Sequence, residues 1–191
     1  MNSGRVGMEC LEEAGVTGHA QSQSEVTQMA DNGKIARDLI PDRYLEDFEE
    51  GMVFEFGDYW VTEDEIISFA RKYDPQPFHT ERHSPAGATH PRLIASGWHT
   101  GSATMRMLVD HFISGRCALP SPGPDGMRFV MPVYPGDRLR VKLTVISVRP
   151  SASKPDRGIV VLDVQTLNQM SQVVLSMNVP YFVRRRPTEI P

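Results

Sequence analysis

The period of apolar and polar positions changes along this chain, and each change predicts an element. "RLRVKLTV" alternates Leu139, Val141, Leu143 and Val145 with Arg138, Arg140, Lys142 and Thr144. That two-residue period marks a strand buried on one face. "GIVVLDVQTL" and "VVLSMNVPYFV" predict two more strands, and Pro180 within the second points to a sheet edge or a bulge. "MRFVMPV" predicts a shorter strand, followed by "YPGD", where Pro135 and Gly136 suit the centre of a type II turn. A hairpin loop is expected from Arg149 to Gly158, and "GMVFEF" (Gly51 to Phe56) reads as a short strand.

Elsewhere the period is helical. Thr62 and Glu65 have capping-box spacing, so a helix should begin at Glu63, with Ile66, Ile67, Phe69 and Ala70 on its apolar face. Asp74 precedes Pro75, which ends this helix near Tyr73 and leaves "DPQPFHT" as an extended loop. A second helix is expected from Leu93 to Ile113, with Ile94, Trp98, Met105, Leu108 and Phe112 at helical spacing and apolar residues on its other faces too. A helix of that kind is packed on more than one side. Together the elements predict an α+β fold in which an antiparallel meander of four or five strands wraps one long central helix.

Residues 1–40 carry Gly, Ser, Gln, Thr and acids without a sustained apolar period, and read as a flexible N-terminal tail. Residues 41–187 form the single domain. The 191-residue chain has a net charge of −4, against a nucleic-acid partner, and its one basic run is Arg184-Arg185-Arg186. Its two cysteines, Cys10 and Cys117, suit a reduced, cytoplasmic protein without a disulfide. No apolar run approaches the ~18 residues of a membrane span.

Among the histidines, His79 and His83 have a metal-ligand spacing, but flanking Pro77 and Pro85 and the lack of a third ligand argue against a metal. His111, near a helix end, reads as structural. Asp74 and His79 bracket "PQPF", whose prolines restrict how far apart the two side chains stand. Spacing alone leaves two readings open. The pair could share a water and exchange its protons, or Asp74 could cap the helix while His79 satisfies a backbone carbonyl. Ser96 or Gly97 falls at a helix start, where free N–H groups could stabilise an oxyanion. Close packing explains the glycine equally well.

"FARKYDPQPFHTERHSPAG", "LIASGWHTGSATMRMLVD" and "MRFVMPVYPGDRLRVKLTV" together resemble the MaoC-like dehydratase family, single hot-dog domains related to (R)-specific enoyl-CoA hydratases. The resemblance runs from about Tyr44 to Arg185. In the family's Asp-x-Asn-Pro-x-His motif, Asp74, Pro77 and His79 match, while Gln76 replaces asparagine and Glu81 stands where an aspartate often follows. The resemblance implies reversible hydration of a 2-enoyl-CoA to a 3-hydroxyacyl-CoA. Asp74 and His79 would be the catalytic pair, with the base left unassigned between them, and the Gly97 N–H would bind the thioester oxygen. Gln76, Pro77, Phe78, Ser96 and Trp98 would line the substrate pocket. It further implies an acyl-CoA substrate, no cofactor beyond it, and a homodimer. Arg128, Arg138 and Arg184 are candidates for the CoA phosphates. Two other readings stay open: a hot-dog thioesterase, which would more usually draw its carboxylate from the central helix, and a non-catalytic acyl-CoA-binding protein.

Overall fold

The structure is a computed structural model, and it describes residues 40–82 and 91–187. The expected tail, apart from Ile40, lies outside the described residues, as do Cys10 and His83.

Six antiparallel strands form one sheet: β1 (Val53–Trp60), β2 (Ala118–Leu119), β3 (Asp125–Phe129), β4 (Arg138–Pro150), β5 (Arg157–Leu167) and β6 (Val173–Arg184). The order is β1-β4-β5-β6-β2, with β3 also paired to β6. Leu139, Val141, Leu143 and Val145 are buried on one face of β4, as their alternation predicts. Val160, Leu162 and Val164 do the same on β5. The turn before β4 has the expected geometry, with Gly136 at φ 91° and Asp137 N–H donating to Tyr134 O.

Three expectations for the sheet change. The β4–β5 pairing continues to Pro150 opposite Gly158, so the loop covers only residues 151–156. The two-residue β2 is too short to leave a periodic signal. Pro180 does not put β6 at an edge: β5 pairs on one side and β2 and β3 share the other. The Phe182 and Arg184 N–H groups face that shared side, donating to Ser121 Oγ and Cys117 O. The donor that Pro180 lacks therefore falls between the end of β2 and the start of β3, where no ladder bond is needed.

Helix α1 (Glu63–Tyr73) has the predicted bounds. Thr62 Oγ1 accepts the Glu65 N–H, while the Glu65 carboxylate accepts the Tyr59 hydroxyl from β1. The expected loop "DPQPFHT" contains a single helical turn, α2 (Pro77–Thr80), because Pro77 is preset for a first helical position and Gln76 before it is extended. Helix α3 runs Gly97–His111, so residues 93–96, expected to open it, lie outside the helix. Ser96 caps it by accepting the Trp98 N–H.

The sheet wraps α3. Thr104 and Thr166 hydroxyls meet at 2.7 Å between α3 and β5. At Gly57 of β1 a Cβ would stand 2.5 Å from Met107 Sδ, and the backbone has φ 86°, a conformation that favours glycine, so the strand lies close against the helix here. Ala103, Met107, Leu108 and Phe112 are buried on the inner face. The helix is not buried on all sides, as its composition suggests. Trp98 and Met105 are 63% and 53% exposed, and Phe129, Val130 and Met131 at and after β3 are exposed too.

Candidate active site

Each reactive side chain is placed by a different piece of backbone. Asp74 caps the C-terminus of α1, its N–H donating to Ala70 O. The Gln76 N–H then donates to Asp74 O at 2.8 Å, a tight turn through Pro75. His79 sits inside α2 and is 6% exposed. Its Nδ1 lies 2.8 Å from the carbonyl oxygen of Ile94. A carbonyl only accepts, so Nδ1 carries the proton and Nε2 of the neutral ring presents a lone pair. The Ile94 N–H donates to Phe78 O and the Ala95 N–H to Val133 O, which tie the strand-like segment before α3 to α2 on one side and to the β3–β4 connection on the other.

His79 Nε2 faces Asp74 Oδ2 at 3.4 Å. The Ser96 hydroxyl donates to the same Oδ2 at 2.7 Å, and Gln76 Nε2 donates to Oδ1 at 2.7 Å. These bonds, Ser96 first and Gln76 second, hold the Asp74 carboxyl below its ordinary range; partial burial opposes them and the nearby His79 adds a smaller lowering. Asp74 is therefore an acceptor fixed at both oxygens, and His79 an acceptor fixed by its far nitrogen.

Of the two readings left open by spacing, the structural one is met, and its bonds also bring the pair face to face. Asp74 does cap α1 and His79 does bond a backbone carbonyl, yet those bonds aim the two groups at each other. Ser96 and Gln76, expected in the substrate pocket, direct their side chains to Asp74. Pro77 starts α2 on the surface, and the Phe78 ring stands edge-on to His79 at 4.4 Å.

His79 and Gly97 share a cleft of about 250 Å³, walled by Ala95, Thr100, Phe129 and Val133 among others. The Gly97 N–H, at the first position of α3, has no partner among the described residues. A Cβ on Gly97 would lie 2.5 Å from the Phe129 ring, so the glycine is required by that ring. Trp98 also meets Phe129, edge-on at 6.1 Å, and lines a separate cavity of about 420 Å³ between α3 and the sheet. Met105, Leu108, Met127, Leu162 and Met177 make that cavity almost wholly apolar. Ile94, Phe129 and the methionines of this cavity were not foreseen. Ile94 acts through its backbone, and Phe129 and the methionines carry no motif. Among the described residues no group of His, Cys, Asp or Glu could hold a metal. Arg138 is engaged with Asp58.

The family model for the MaoC-like domain matches residues 47–166. A MaoC-like dehydratase from Rhodospirillum rubrum is 37% identical, with a TM-score of 0.71 over 76% of this chain and 99% of its own. The unliganded (R)-hydratase PhaJ1 of Pseudomonas aeruginosa shares the fold at 21% identity, with a TM-score of 0.60 over 80% of this chain and 96% of its own. YdeM of Bacillus subtilis (strain 168), described as uncharacterized, is 26% identical over 74% of this chain and 99% of its own length. With the hot-dog wrap of sheet around helix, these matches make the chain a member of the MaoC-like dehydratase family.

Proposed function

We propose that the protein adds water reversibly to a 2-enoyl-CoA, giving a 3-hydroxyacyl-CoA. The observation that carries this reading is the facing pair of acceptors, Asp74 Oδ2 and His79 Nε2, beside the free Gly97 N–H. A water bridging the two acceptors from the cleft side donates one hydrogen to each, which leaves an oxygen lone pair directed at C3. As the C–O bond forms, one of the pair takes the proton and a proton is delivered to C2; the pair acts as a unit. The Gly97 N–H and the start of α3 stabilise the enolate-like thioester oxygen. None of these steps calls on a cofactor. The apolar cavity behind Trp98 favours an unsubstituted acyl chain over a charged one.

A second copy of the chain is the proposed cover for Trp98, Met105, Phe129, Val130 and Met131, an exposed apolar face beside the open edge of β3. No described helix is long and apolar enough to cross a membrane, and a cytoplasmic setting fits the buried free thiol of Cys117.

The test is a panel of enoyl-thioesters followed by loss of the enone absorbance and, in parallel, by release of free thiol. Hydration removes the absorbance without freeing thiol. Thiol release in step with the loss of absorbance would make the protein a thioesterase. Asp74→Asn and His79→Ala should each lower kcat by about 10²-fold or more with the circular-dichroism melt intact, whereas unchanged turnover in both would leave a binding role.

A further inference from the structure

His99, in the first turn of α3, is 3% exposed, and neither ring nitrogen has a hydrogen-bond partner among the described residues. Its Nε2 lies 3.4 Å from Glu65 Oε1, the same oxygen that accepts the Tyr59 hydroxyl. Its ring stacks on Phe69 of α1, with centroids 4.9 Å apart and planes at 16°. Phe69 in turn packs on Tyr73, the residue before Asp74. None of these side chains lines the cleft shared by His79 and Gly97.

Helix α1 is thus joined to α3 at two places, by Glu65 with His99 near its start and by Asp74 with Ser96 at its end. His79 is anchored independently, through Ile94. The separation of Asp74 and His79 then depends on how α1 lies across the start of α3. We propose that His99, Glu65 and Tyr59 form a positioning cluster that fixes α1 on α3 and so sets the distance between Asp74 and His79. The effect expected on rate rests on reading that pair as the reacting groups; the effect on geometry does not.

Three variants test this. H99L removes both nitrogens, E65Q is a milder change at a partly exposed position, and H99Q keeps an amide donor toward Glu65. The His79 ring signals are followed by NMR in the full-length protein without substrate, assigned by their loss in His79→Ala. H99L and E65Q should shift those signals and lower kcat about ten-fold with KM nearly unchanged, since small misplacements of reacting groups act on the chemical step. H99Q should return both toward wild type. His79 signals unmoved in both H99L and E65Q would overturn the proposal whatever the melts show, and so would a loss confined to KM. If wild type turns over no thioester, the hydration reading fails while the His79 signals still decide the role of the cluster.

Discussion

Ser96 gives Asp74 its acidity. Its hydroxyl is the largest influence lowering that carboxyl, ahead of Gln76, while burial pulls the other way. A carboxyl lowered in the folded state stabilises the fold above the ordinary value of ~3.9, and that contribution is lost as pH falls through the lowered value. Ser96→Ala should therefore raise the Asp74 pKa and move the acid limb of the kcat/KM profile to higher pH; a limb that stays put would mean another group sets it. The motif exposed Asp74 and His79 because side chains are spelled in the sequence. The Ile94 carbonyl that fixes the tautomer of His79 is backbone, and any residue at that position would supply it. Ser96 was legible as a helix start, but its bond to Asp74 spans 22 residues and follows from no local pattern.

Between elements, the close approach of β3 to α3 decides what Gly97 is for. The Phe129 ring occupies the space a side chain would need, and an alanine there would still carry its N–H. Gly97→Ala should therefore lower both melting temperature and kcat by displacing Phe129, and adding Phe129→Ala should recover much of both. If the melt recovers and kcat does not, the added methyl obstructs the thioester itself. Helix α1 could be read to the residue because Thr62 and Pro75 are local signals with fixed stereochemistry. The start of α3 was misjudged by four residues, since Leu93, Ile94 and Ala95 are buried in either conformation and periodicity cannot tell them apart. At four residues, α2 spans little more than one helical period, too short for any repeat to show.

For the whole molecule, the strands were legible wherever one face is buried, as on β4 and β5, and lost where pairing is set by distant partners, as on β2. The core also places a limit on alkaline stability. Burial, with Cys117 adding to it, pushes the Tyr181 phenol up to about 12. A raised pKa favours the protonated, folded form, so its contribution is complete below ~10 and lost as pH rises toward the folded value. The melting temperature should fall between pH ~10 and about 12, and Tyr181→Phe should flatten that fall. Pro180 has a different reach. At Pro180, in the gap between β2 and β3, β6 offers no donor, and residues 120–124 cross that gap held to β6 through Ser121 Oγ, which accepts the Phe182 N–H; Ser121, Gly123 and Pro124 from this stretch help to close the apolar cavity. On the proposed hydration, this short connection is where insertion or exchange would change which acyl group fits, with Asp74, His79 and the sheet left as they are.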